Sequence, residues 1–139
     1  MSVESFIDTN VFVYSFDPGD SRKRESARAI IARGLDGASC ISWQVLQEFS
    51  NVALRKFEVP MRPWELREYM DVVLMPLCRV WPDAALYHDA LEAHRDSGFS
   101  WYDSLILASA LRAGARTLLS EDMSHGFRYK GLRIENPFR

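Results

Sequence analysis

SWYDSLILASALRAGARTLLSED, residues Ser100–Asp122, decides how the rest of the chain is read. Leu105, Ile106, Leu107, Ala108, Ala110 and Leu111 make Ser100–Gly114 an apolar helix, longer than a strand and too greasy for a solvent-facing helix. Gly114 stops it, and Arg116–Leu119 follows as a short strand bounded by Ser120. A helix that delivers the chain straight into a strand is half of a crossover unit. Repeated, such units build a parallel sheet covered by helices.

The alternation continues outward from that stretch. Val3–Asp8 reads as a first strand. Ser21–Gly34 reads as a helix with Ala27, Ile30 and Ile31 on one side, ended by Gly34 and Gly37. Ala38–Ser42 is a second strand, and Ser42 caps a helix carrying Val45, Leu46, Phe49, Val52 and Ala53. Pro60 and Pro63 break the chain. A helix then runs from Trp64 to about Met75, ended by Pro76, and Leu77–Trp81 is a third strand. Asp83 opens a helix that closes near Gly98, and Leu132–Ile134 forms a short last strand. The expected fold is α/β, a parallel β-sheet flanked by helices on both faces, with residues 1–139 making a single domain.

Composition narrows the function classes. Hydrophobic residues make up 47% of the 139, enough for a core without staples. Lys and Arg number 17 against 19 Asp and Glu, a net charge of −2. A plain nucleic-acid-binding module advertises a basic excess that this chain lacks. A nuclease is less constrained, because acidic metal ligands lower its net charge. Cys40 and Cys78 stand among apolar neighbours and read as two buried thiols, not a disulfide. The chain shows no basic leader and no apolar run approaching the roughly 20 residues of a membrane span, so a cytoplasmic protein off the membrane is expected.

In open parallel sheets the ligand crevice lies beyond the carboxyl ends of the strands. Asp8 follows the first strand and Asp122 the fourth. Each also fits a simple turn residue. Asp103 is the third residue after Ser100, as in a capping box. It also shares a helix face with Ile106, Leu107 and Ala110. An acid heading a core stripe costs free energy unless its charge is compensated. Glu48 lies on the row of Val45 and Val52, and reads either as an inward acid or as a flank residue reaching water. Clustered carboxylates repel, and a divalent cation removes that penalty. Oxygen ligands without a His or Cys cluster suit Mg²⁺ or Mn²⁺, not zinc, and such sites mostly serve phosphoryl transfer.

Asp8-Thr9-Asn10, Gln47-Glu48-Phe49, Tyr102-Asp103-Ser104-Leu105-Ile106 and Ser120-Glu121-Asp122 occur in the order of a PIN-domain nuclease, which the chain resembles over essentially its whole length. The closing Gly131–Phe138 looks like the tail of bacterial PIN proteins of the VapC toxin type. The resemblance implies a Mg²⁺- or Mn²⁺-dependent endoribonuclease that cleaves RNA with a metal-activated water. It implies the toxin of a toxin–antitoxin pair, held by a cognate antitoxin and forming a homodimer. Carried over, Asp8, Glu48, Asp103 and Asp122 are the catalytic and metal-binding acids. Ser120 supports them through its hydroxyl, while Thr9 and Asn10 brace the loop after the first strand. Glu121 competes with Asp122 for the fourth acid, and the family spacing favours Asp122.

Three other readings remain beside it. A PIN nuclease outside any toxin pair would process RNA or act on DNA, and an inactive PIN scaffold would keep the fold alone. A phosphoacceptor receiver domain expects paired acids after its first strand, where this chain has Asp8 followed by Thr9. His88, His94 and His125 share no metal spacing. Trp43 and Trp101 stand near the starts of the acid-bearing helices, suited to base stacking or to packing. Arg22-Lys23-Arg24 fits either a phosphate contact or a solvated helix face.

Overall fold

Six strands form one sheet: β1 (Ser5–Ile7), β2 (Ser39–Ser42), β3 (Cys78–Val80), β4 (Thr117–Leu119), β5 (Arg128–Tyr129) and β6 (Leu132–Glu135). Their order is β3-β2-β1-β4-β6-β5 in the computed structural model, which describes residues 3–139. The first five in that order pair in parallel, and β5 pairs antiparallel with β6. The helices are α1 (Thr9–Tyr14), α2 (Ser21–Arg33), α3 (Trp43–Arg55), α4 (Pro63–Tyr69), the single turn α5 (Met75–Leu77), α6 (Ala84–Ser97) and α7 (Trp101–Arg112). No helix among the described residues is long and apolar enough to cross a membrane.

The strand order explains where a crevice opens. The chain steps outward from β1 to β2 to β3, then returns to the other side of β1 as β4. The connections leaving β1 and β4 therefore diverge, and the gap between them lies beyond their carboxyl ends. Ile7 and Leu119 are register partners there. Asp8 and Ser120, the next residue on each strand, face each other across the mouth of that gap.

β2 is buried along its whole length, as a strand covered on both faces must be. Phe6, Ile7, Ile41, Leu118 and Ile134 form the sheet's part of the core. On one side Phe12, Phe16, Phe49, Phe57 and Tyr69 pack as a connected aromatic group, with centroids 5.2–6.2 Å apart. A smaller cluster of Val80, Leu86, Ala90, Leu105 and Ala108 joins α6 to α7.

Several local expectations need correction. The first strand is shorter than Val3–Asp8. The segment after it is a helix, α1, not a loop, because Asp8 accepts the Thr9 N–H at its start and Val11 and Phe12 bury its inner side. Gly34 keeps helical geometry, and the real stop is Gly37 at φ 105°, a backbone angle that favours glycine. Ser42 stands at the start of α3, but its side chain makes no cap bond. The helix expected to run from Trp64 to Met75 widens over Met70–Leu74, and Pro76 sits within the next turn instead of ending the helix. Proline has no N–H, so it forgoes one bond to the preceding turn there. The third strand is trimmed to Cys78–Val80, and β5 was not anticipated. Both cysteines are free, with Cys40 buried but Cys78 only partly so. Burial pushes both thiols up to about 11.

Candidate active site

Asp8 is the centre of the site. It ends β1, caps α1 and is buried. Its Oδ1 accepts the Thr9 backbone N–H at 2.8 Å, and its Oδ2 accepts the Ser120 hydroxyl at 2.8 Å. Burial pushes its pKa up to about 6. The bonds from Ser120 and Thr9 pull the other way, while the charges of Glu48 and Asp103 add to the rise.

Glu48 comes to the same place from α3. Its Oε1 accepts the Thr9 hydroxyl at 2.9 Å, so Thr9 touches two carboxylates, one through its N–H and one through its side chain. Burial, then the Asp103 charge, raises the Glu48 pKa, against the bonds from Thr9 and Gln44. Asp103 stands in the first turn of α7, where its N–H donates to Ser100 Oγ at 3.2 Å. That is half of the expected capping box. Burial and the charge of Asp122 raise the Asp103 carboxyl, opposed by its bond with Ser100. Asp122 is exposed, and its Oδ2 accepts from Asn10 Nδ2 at 3.1 Å.

The structure thus brings Asp8, Glu48, Asp103, Asp122 and Ser120 around one crevice. Glu121 lies outside it, bonded to Lys23 Nζ at 2.7 Å and to the Tyr14 hydroxyl. Gln44 is a neighbour that the sequence reading missed, although it precedes Glu48 by one helical turn. It is buried, and its Nε2 donates to the Tyr102 carbonyl at 3.1 Å, which ties α3 to the start of α7.

Other candidates are occupied elsewhere. Lys23 is held by Glu121, and Arg24 donates to the Asp17 carbonyl at 3.1 Å, so much of the basic run serves the protein itself. Trp43 and Trp101 pack on either side of Tyr87, at 6.2 and 6.3 Å, as side chains of the smaller cluster. His125 accepts the Asn136 N–H at 3.0 Å in a loop.

The site offers a divalent ion only oxygen donors. Among the described residues no three His, Cys, Asp or Glu side chains stand close enough to enclose a metal. The crevice is an open arrangement of oxygens, not a cage. Mg²⁺ suits such an arrangement, since it usually takes one or two carboxylates and keeps several waters. The raised carboxyls of Asp8, Glu48 and Asp103 point the same way. Buried like charges favour any cation that joins them.

No curated protein matches the sequence. Among solved structures, FitAcB from Neisseria gonorrhoeae superposes with a TM-score of 0.65 at 19% identity, covering 96% of this chain and 98% of that one. VapBC2 from Rickettsia felis, solved with a DNA fragment from their promoter, gives 0.63 at 19% identity, covering 96% and 98%. VapC20 from Mycobacterium tuberculosis, a Sarcin-Ricin loop cleaving toxin, gives 0.61 at 20% identity, covering 86% and 90%. These likenesses establish the fold. A PIN domain profile matches residues 5–127, a span that holds all four acids, Ser120 and strands β1 to β4, and the chain accordingly belongs to the PIN domain family.

Proposed function

We propose that this protein is a Mg²⁺- or Mn²⁺-dependent endoribonuclease, the toxin of a toxin–antitoxin pair. The observation that carries the reading is the meeting of Asp8, Glu48, Asp103 and Asp122, from four separate elements, in one crevice where their charges act on each other. Family membership supports the nuclease chemistry, and the likeness to VapC20, a toxin that cleaves the Sarcin-Ricin loop, supports RNA as substrate. The likeness to FitAcB and VapBC2 supports an antitoxin partner, and a homodimer belongs to the same reading.

Asp8, Glu48, Asp103 and Asp122 would serve the ion, one or two of them as direct ligands and the others through its waters. Bound there, a divalent cation supplies an activated water for attack on phosphorus and neutralises the phosphate oxygens. The chain's own part is to keep the carboxylates aimed. Ser120 and the Thr9 N–H fix both oxygens of Asp8, the Thr9 hydroxyl fixes Glu48, and Asn10 fixes Asp122. Supporting bonds of this kind orient metal ligands and sustain their basicity. An antitoxin would find apolar footing in the groove of about 770 Å³ lined by Val13, Phe16, Phe57, Val59, Pro60 and Met61. An Arg from it would pair with the crevice carboxylates.

The test is cleavage of RNA by the purified protein. Cleavage is expected with Mg²⁺ or Mn²⁺ and lost in chelator. Asp8→Asn and Asp103→Asn should each reduce it by a hundredfold or more, on the order of 3 kcal/mol of transition-state stabilisation. Circular dichroism should stay unchanged. Expression of wild type, but not Asp8→Asn, should arrest growth. Two variants cutting at the wild-type rate would remove the site assignment, and cleavage of DNA alone would remove the substrate.

A further inference from the structure

Glu121 and Asp122 are adjacent in sequence but have different partners. Asp122 bonds Asn10 at the crevice, whereas Glu121 bonds Tyr14 and Lys23 on the outer side. We propose that Glu121, gripped by Tyr14 and Lys23, is a positioning residue that holds the 120–123 turn so that Asp122 presents its carboxylate to the crevice. This rests on the reading of that crevice as a metal site.

The argument begins with Asp122 itself. It is exposed, and among the described residues its side chain bonds only Asn10, whose Oδ1 also accepts the Glu121 N–H at 3.5 Å. An exposed carboxylate on a turn keeps its rotamer freedom unless the turn is anchored. The inner side of the turn has an anchor in Ser120, which donates to Asp8 and accepts the Met123 N–H at 3.4 Å. Glu121 supplies the outer anchor. One of its oxygens accepts the Tyr14 hydroxyl from α1, and the other meets Lys23 Nζ of α2 at 2.7 Å.

An isolated surface ion pair would hold little. This one is fixed further by aromatic rings. Lys23 Nζ lies 4.4 Å from the centre of the Tyr14 ring and 5.7 Å from that of Phe138, and those two rings meet edge to face at 5.1 Å. Phe138, near the chain's last residue, thereby packs against the two side chains that grip Glu121. Tyr14, Lys23, Glu121 and Phe138 act as one latch on the turn.

The test uses the full chain with Glu121→Gln, Tyr14→Phe, Lys23→Met and the double variant Tyr14→Phe/Glu121→Gln. Two quantities are read: Mn²⁺ affinity by calorimetric titration, and amide hydrogen exchange resolved along the chain. Each single variant should bind Mn²⁺ about tenfold more weakly. The double variant should be no weaker than the weaker single, since the residues act as a unit. Exchange should quicken at Glu121, Asp122 and Met123 while β1 and β4 stay protected.

Wild-type affinity with unchanged exchange in all variants would overturn the proposal. So would losses that simply add, or faster exchange spread across β1 and β4, which would signal general loosening. A wild type that binds no Mn²⁺ would sink the metal reading on its own. The exchange data would then judge the latch: faster exchange confined to the turn sustains it, and no change removes it.

Discussion

Burial leaves Asp8 in conflict with its own charge. Its pKa of about 6 against an ordinary 3.8 corresponds to about 3 kcal/mol of differential stabilisation of the neutral form. Because the folded value lies above the unfolded one, the folded state is relieved of that strain below pH ~4. It takes on the full penalty as pH rises past about 6. In chelator at pH 7.5, Asp8→Asn should therefore melt several degrees above wild type, and near pH 4 the two should melt together. Saturating Mg²⁺ should raise wild type and leave the variant nearly unmoved. A thermal series over pH checks this, and equal melting of the two proteins at every pH would contradict it. Much of the candidate site was readable at this scale. Asp8 advertises itself because it directly follows an apolar strand, and Asp103 because it heads a buried helical stripe, whereas Ser120 entered only through the family resemblance. The choice between Glu121 and Asp122 was not legible from local pattern. It depends on Tyr14 and Lys23, which lie 107 and 98 residues away in sequence. No local spacing encodes such a pairing.

Elements whose propensity agrees with their packing were readable, and those where the two conflict were not. α2, α6 and α7 carry caps and an apolar face, and they fall within a few residues of expectation. α1 was hidden because Thr-Asn-Val-Phe-Val-Tyr is rich in β-branched and aromatic residues, and only burial of Val11 and Phe12 makes it helical. β5 was hidden for a different reason. Its hairpin turns on Lys130 at φ 48° and Gly131 at φ 85°, where an Asn or Asp before the glycine would have been the familiar signal. A Cβ at Gly131 would meet nothing within 4 Å, so any cost of substitution there is purely one of backbone conformation. Gly131→Ala should lower stability by about 1–2 kcal/mol, and Gly131→Asn by less, because Asn tolerates the left-handed region. Urea midpoints of the three proteins test the order, and an Ala variant as stable as wild type would show that the hairpin carries no weight.

Taken whole, the molecule puts its first strand at the centre of the sheet, between β2 and β4. Ser5, Phe6 and Ile7 pair with Thr117, Leu118 and Leu119, and the Ser120–Asp8 bond spans 112 residues. Contacts of that separation form late, because the loop entropy must be overcome before they stabilise anything. Mn²⁺ binding and native tryptophan fluorescence should consequently recover in a single phase on refolding. A fragment ending at Arg116 should show neither Mn²⁺ binding nor a protease-resistant core. Stopped-flow refolding and limited proteolysis read these directly, and a fragment that binds Mn²⁺ would contradict them. The central placement of β1 also has a bearing on synthesis. A ribosome adds Asp8 and Glu48 well before it makes β4, the strand that gathers the acids. On the proposed reading, the nascent chain stays harmless to the RNA that surrounds it until β4 has been made and has joined β1.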